Sequence, residues 1–71
     1  MLNEKEILLL KIIGEDMLMR HDEIKKRFSG NSMDYNMVIS KLVSEGYINN
    51  LDAIGSRCFA ITQKGIRAIE D

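Results

Sequence analysis

Apolar residues crowd the first segment of the chain after a short polar start. Asn3 is followed three residues later by Glu6, the spacing of a capping box in which each side chain serves a free backbone amide. The pattern predicts a helix from about Glu4 to Ile13 that ends at Gly14, since glycine tolerates the left-handed conformation common after helices. Its apolar residues cover more than half of the helix circumference: Ile7, Leu8, Leu9, Leu10, Ile12 and Ile13.

This first helix carries more apolar residues than one core-facing stripe needs. Two interpretations remain open. The helix either sits centrally, between the other helices and the C-terminal segment, or it exposes a dimer surface. We favour the central position, because small domains often bury one helix on two sides.

A short apolar segment and a second helix follow. Met17 to Met19 suits a brief extended segment. The next helix is predicted from about Asp22 to Phe28, with acidic residues in its first turn and basic residues toward its end, as the helix macrodipole favours. Ile24 and Phe28 are four residues apart and should form its buried edge.

A third helix is predicted after the polar turn Ser29 to Ser32. It should begin near Met33, reach Glu45 and end at Gly46. Residues at helical spacing should face the core, namely Tyr35, Val38, Ile39 and Leu42. Largely polar residues should fall on the other side, namely Asp34, Asn36, Met37, Ser40, Lys41 and Ser44.

The last third of the chain changes to a strand-like pattern. Tyr47 to Leu51 and Arg57 to Ile61 flank the turn-prone segment Asp52 to Ser56, which predicts a β-hairpin. Thr62 should then cap a short final helix. The residues of that helix expected to pack on the first helix are Ile66 and Ile69.

The order helix, short strand, helix, turn, helix, hairpin, helix is that of winged helix-turn-helix domains. Lys41 to Ile48 resembles the end of a recognition helix, where a Leu faces the core, Gly ends the helix and two apolar residues open the wing. Arg57 to Gly65 resembles the second wing strand and helix cap of multiple-antibiotic-resistance and PadR-type transcriptional regulators. We therefore expect an α+β fold over residues 1–71 as a single domain: a three-helix core, a β-hairpin wing and a short C-terminal helix.

The resemblance implies binding to double-stranded DNA by a homodimeric transcriptional regulator. The third helix would enter the major groove, the second would brace it on the phosphates, and the wing would reach the adjacent backbone or minor groove. The residues expected to face DNA are Ser32, Asp34, Asn36, Met37, Ser40 and Lys41, with Arg57 at the wing. Phosphate contacts are expected from Lys25, Lys26, Arg27, Lys41 and Arg57.

Charge is the main objection to DNA binding, because the formal net charge is -1 and attraction to phosphate needs clustered Lys and Arg. The distribution of charge along the sequence answers part of this objection. Residues 20–67 contain eight basic and five acidic side chains, and the acidic excess lies at the two ends. An ordinary solvated surface would give much the same count. The alternative is therefore a winged helix that docks a protein partner and never binds DNA, which the apolar first helix also favours.

Several function classes lack the residues they need. Cys58 is the one cysteine and His21 the one histidine, so neither an intramolecular disulfide nor a Cys-x-x-Cys zinc site can form. His21 has no identifiable nucleophile beside it, and the glycines do not make a phosphate-binding loop. We expect no enzyme activity, no cofactor and no small-molecule ligand. Cys58 should be a small buried hydrophobe and the methionines should fill gaps in the core.

The composition, 45% hydrophobic and 30% charged, is that of ordinary globular domains. No apolar stretch is long enough to span a bilayer, and the mixed-charge start lacks the cleavage site of a secretory signal. A cytoplasmic setting is the expectation.

Overall fold

A computed structural model of the chain describes residues 2–28, 32–53 and 56–70, and only the backbone at positions 32, 53 and 56. The predicted turn at Ser29 to Asn31 and the wing tip at Ile54 and Gly55 lie outside the described residues. The elements are α1 (Glu4–Asp16), β1 (Leu18–Arg20), α2 (His21–Arg27), α3 (Ser32–Ser44), β2 (Ile48–Ala53), β3 (Ser56–Ile61) and α4 (Gln63–Ile69). This order confirms the predicted α+β winged helix. No helix in the described part of the chain is long and apolar enough to cross a membrane.

The three strands form one antiparallel sheet in the order β1-β3-β2. The hairpin ladder extends further than its sequence pattern indicated, because Asp52 pairs with Arg57 and Ala53 with Ser56. The predicted turn from Asp52 to Ser56 is therefore too long. Oppositely charged residues directly across two strands favour pairing, although a propensity scale assigns such polar residues to a turn.

The first helix also runs further than predicted, through Gly14 to Asp16, and is closed by Met17 with a φ of 67°. Gly14 does not end the helix. A Cβ at Gly14 would lie 2.9 Å from the Cδ1 atom of Ile69. Gly14 therefore lies where the side chain of Ile69 in α4 packs closely on α1, a tertiary contact that local sequence does not reveal.

Helix α1 lies at the centre of the molecule, as the favoured interpretation predicted. Leu9, Leu10 and Ile13 are fully buried, and the helix contacts every other helix as well as β1 and β3. Only Leu8 among the predicted apolar set is classed as exposed, at 48%. The surplus of apolar residues is thus used on several sides of one helix. The predicted core residues of α2 and α3 are buried too: Ile24, Phe28, Tyr35, Val38, Ile39 and Leu42.

The end of α3 is fixed by its own backbone. Gly46 has a φ of 82°, and the Tyr47 and Gly46 amides donate to the Leu42 and Val43 carbonyls at 2.9 and 3.1 Å. These two bonds form a Schellman motif, which needs a residue in the left-handed conformation. The glycine predicted to end this helix does so, and β2 starts in a defined direction.

Thr62 joins this helix end to α4. Its Oγ1 accepts from the Gly65 amide at 3.1 Å, as a helix cap should. The same hydroxyl lies 2.6 Å from the Gly46 carbonyl oxygen and 3.0 Å from that of Tyr47. The predicted cap is confirmed, and it also ties α4 to the junction between α3 and the wing.

Sulfur-containing side chains divide between core and surface. Met19 and Cys58 are buried, as expected. Met17, Met33 and Met37 are 53%, 72% and 65% exposed. The expectation that methionines fill the core is therefore wrong for Met17 and Met33, whereas Met37 lies on the outer face of its helix as its spacing predicted. Residue type alone does not place a methionine, because its unbranched side chain is accepted on either side of a helix.

Candidate nucleic-acid interface

One face of α3 is turned away from the core. Met33, Asn36, Met37, Ser40 and Ser44 lie within about 100° of the helix circumference, and all are exposed. We call these five residues the outer stripe of α3. The opposite face packs into the core through Tyr35, Val38, Ile39 and Leu42. Because that packing fixes the rotation of the helix, the outer stripe is held toward solvent.

The structure therefore exposes Asn36, Met37 and Ser40, three of the residues predicted to face DNA. Met33 was assigned only as the start of the helix, yet it is the most exposed large apolar residue among those described. Its four-residue spacing from Met37 is the sequence signal that would have found it. Ser32 is the first residue of α3, and its side chain lies outside the described part of the chain.

A hydrogen bond between the half-buried His21 and the buried Tyr35 sets α2 against α3. The Tyr35 hydroxyl lies 2.9 Å from Nδ1 of His21, and the two rings meet edge to face with centroids 5.3 Å apart. Phe28 lies on the Tyr35 ring as well. Burial raises the pKa of Tyr35 to about 12, with Arg57 acting to lower it and Asp22 to raise it. His21 thus has a structural contact that explains its position at the first residue of α2.

The basic residues at the end of α2 differ in whether they form ion pairs within the protein. Lys25 and Lys26 are exposed, and neither forms an ion pair with the residues that the structure describes. Arg27 instead binds Glu23 at 2.9 Å and Glu15 at 3.0 Å. The hydrogen bond to Glu23 is the main reason that the pKa of Arg27 is raised. Arg27 therefore links α2 to the end of α1, whereas the two lysines are exposed without a carboxylate partner among the described residues.

Arg57 lies on β3 beside the helices. It is exposed, and its guanidinium carbon is 5.8 Å from the centroid of the Phe59 ring. Phe59 is buried, so Arg57, two residues away on the same strand, lies on the core-facing side of the sheet. Its charge acts on the hydroxyl of Tyr35. The structure thus places the predicted wing cation near the junction of α2 and α3.

The flank of α3 that faces α1 is closed by two ion pairs. Lys5 binds Asp34 at 2.8 Å, so the acidic residue expected to face DNA is paired with a cation. Lys41 binds Glu6 at 3.0 Å, and the hydrogen bond to Glu6 raises the pKa of Lys41. Lys41 was predicted to contact DNA, but its ammonium group is already held by a carboxylate.

Glu6 is the centre of this contact and is only 4% exposed. Its Oε1 accepts from the Asn3 amide at 2.8 Å, and the Glu6 amide donates to Oδ1 of Asn3 at 2.9 Å, which confirms the predicted capping box. Burial acts to raise the pKa of Glu6, but the Asn3 amide and Lys41 outweigh it, so the pKa lies below its usual value. One carboxylate therefore caps α1 and anchors α3.

Replacing Glu6 by alanine should lower the free energy of unfolding at neutral pH by about 2 kcal/mol, because the cap and the ion pair are lost together. The lowered pKa means that this stability is present at neutral pH and is lost as the pH falls below the ordinary value of 4.5 and through the lowered one. Urea unfolding across this range should show a weaker acid dependence in Glu6→Ala. Glu4→Ala, an exposed change in the same turn, is the control; equal losses in both variants would contradict the role of Glu6.

The fold, but not the sequence, is similar to that of known proteins. No protein-family model matches the sequence, and no curated protein matches it either. The structure is similar to two crystal structures of MarR from E. coli, a cysteine-to-serine mutant complexed with operator DNA and the oxidized form. Each has a TM-score of 0.85 and 18% identity and covers 96% of this chain. The match covers 51% and 50% of the MarR chains, so this chain spans about half their length. The likeness confirms the winged-helix fold expected from the sequence.

Proposed function

We propose that this chain is a non-enzymatic winged-helix transcriptional regulator that binds duplex DNA. The observation that carries the proposal is the outer stripe of α3, which the core packing holds toward solvent with polar and apolar side chains but no charge. A helix in this position of a helix-turn-helix lies in the major groove. The fold shared with MarR in its operator complex supports this assignment, since function itself must be argued from the site.

Lys25 and Lys26 supply the main phosphate contacts in this proposal, and Arg57 supplies one from the wing. Arg27 and Lys41 contribute less, because binding to phosphate would cost them their contacts with Glu15, Glu23 and Glu6. The mild basicity of residues 20–67 thus suffices for a limited set of backbone contacts. Residues 1–71 would form one domain of a cytoplasmic homodimer that binds a two-fold symmetric DNA site.

The weak basicity of the sequence and the apolar excess of α1 were the two features that favoured docking to a protein partner. The fold buries most of that excess, leaving Leu8 as its exposed residue. We therefore propose no second function.

Exchanging Lys25 and Lys26 for glutamine should weaken DNA binding and its salt dependence. Each phosphate contact adds about one to the slope of log affinity against log salt, so the double variant should lose about two from that slope. Fluorescence anisotropy with labelled duplex DNA over a range of salt measures both quantities. Lys11→Gln removes an exposed cation from α1 and should leave the slope unchanged.

A further substitution tests whether a cation that is already ion-paired within the protein contributes less to DNA binding than an exposed lysine does. Arg27→Gln should change the slope of log affinity against log salt less than Lys25→Gln or Lys26→Gln alone, because Arg27 is held by two carboxylates. Absence of salt-sensitive binding by the wild-type protein at low ionic strength would overturn the proposed function.

A further inference from the structure

The outer stripe of α3 has an unusual composition for a surface that reads DNA. Met33 and Met37 are more exposed than the other large apolar residues that the structure describes. Between them in sequence lies Asn36, and Ser40 follows one turn later. An exposed apolar pair of this kind is typical of a contact surface rather than of a solvated helix face.

Each base pair presents its own donors, acceptors and methyl groups in the major groove. The outer stripe matches those of A·T pairs but not those of G·C pairs. Adenine offers N7 as an acceptor and N6 as a donor, which an Asn amide can engage together. Thymine offers its C5 methyl group to apolar side chains. Guanine offers two acceptors and is read best by Arg or Lys, neither of which occurs on the outer stripe.

The charged residues that flank the stripe do not restore guanine or cytosine readout. Lys41 could donate to guanine, but Glu6 holds its ammonium group at 3.0 Å. Asp34 could accept from the cytosine amino group, but Lys5 binds it at 2.8 Å. Both pairs hold these side chains toward α1.

The positions along the helix fit direct readout. Met33, Asn36 and Met37 stand at i, i+3 and i+4 in the first half of α3, so their side chains are neighbours on the surface. Residues near the N-terminus of a recognition helix are those that reach base edges. Asn36 would therefore engage one adenine while the two methionines contact thymine methyl groups of adjoining pairs.

We propose that the outer stripe of α3 specifies adjacent A·T base pairs, with Asn36 reading adenine and with Met33 and Met37 reading thymine methyl groups. This inference rests on the proposed DNA binding. Selection of duplexes from a random pool by the wild-type protein should enrich a run of A·T pairs. The enriched duplex then serves as the probe for the measurements that follow.

Base analogues test each contact separately by anisotropy at constant salt. Deoxyuridine in place of thymidine removes the methyl group, and 7-deazaadenine removes the N7 acceptor. Each analogue should weaken wild-type binding several-fold, within the roughly tenfold that one specific base contact provides. The methyl effect should vanish in the Met33→Ala, Met37→Ala double variant and the N7 effect in Asn36→Ala. Met17→Ala, an exposed methionine outside α3, should retain both effects.

The outcomes separate this inference from the function on which it rests. Salt-sensitive binding with no enrichment of A·T pairs, or with enrichment of G·C pairs, would overturn the base preference and leave DNA binding in place. Analogue effects that persist unchanged in the α3 variants would overturn the assigned residues. Absence of any DNA binding would overturn both. The substituted side chains are exposed, and circular dichroism of each variant checks that the fold is retained.

Discussion

Replacing Gly65 by alanine should lower the free energy of unfolding by about 3 kcal/mol, the upper part of the range for an overpacked core. An added Cβ would collide with the Tyr47 carbonyl oxygen and lie 2.7 Å from Cγ1 of Ile61. The carbonyl cannot retreat easily, because it accepts from the Thr62 amide at 3.0 Å. Relief of the clash would therefore require α4 to move away from the wing and α1.

Thermal and urea unfolding measure this effect, and Gly46→Ala is the matched control. Gly46 has a φ of 82°, and a Cβ there would meet nothing within 4 Å. That substitution should cost about 1 kcal/mol, because it strains the left-handed backbone but makes no clash. A loss at Gly65 no greater than that at Gly46 would show that α4 adjusts without cost.

The protein should lose about 2 to 3 kcal/mol of stability between pH 10 and pH 12, and Tyr35→Phe should prevent that loss. The pKa of Tyr35 is raised from 10.0 to about 12, chiefly by burial. Below pH 10 the hydroxyl keeps its proton in both the folded and the unfolded chain. Above it the unfolded chain releases the proton while the folded chain cannot, so stability falls until the pH passes the folded pKa.

Urea midpoints measured across this alkaline range test the expectation. Tyr35→Phe should be less stable than wild type by about 1 kcal/mol at neutral pH, since the contact with His21 is lost, and should fall less steeply above pH 10. Tyr47→Phe keeps Tyr35 and should fall as steeply as wild type. Parallel alkaline profiles for wild type and Tyr35→Phe would contradict the proposed burial effect.

Local signals predicted most of the fold. The Asn3–Glu6 capping box, the Thr62 cap and the Gly46 helix end are all present where the sequence placed them. Each depends on residues within a few positions of one another, so its physical basis is contained in a short stretch of chain. The periodicity of α3 also predicted its buried face, and hence the exposure of Asn36 and Ser40.

The candidate site was predicted less completely, because charge partners are distant in sequence. Lys41 and Arg27 look like free cations until the fold brings Glu6 to one and Glu15 to the other. Met33 was expected only as the start of α3, and the fold shows it exposed beside Met37 on the outer stripe. Of the five cations predicted to contact phosphate, only Lys25, Lys26 and Arg57 form no ion pair with a carboxylate among the described residues.

The sequence by itself determined the order of the elements, their caps and the faces that pack, because these follow from spacing and from backbone preferences a few residues long. Tertiary structure alone decided the partners of the charged side chains and the need for glycine at position 65. It also decided that α1 is buried on several sides. These features depend on atoms brought together from distant parts of the chain. Their contribution to the free energy of folding is set by the distances between packed side chains and between charges, which the local sequence pattern does not contain.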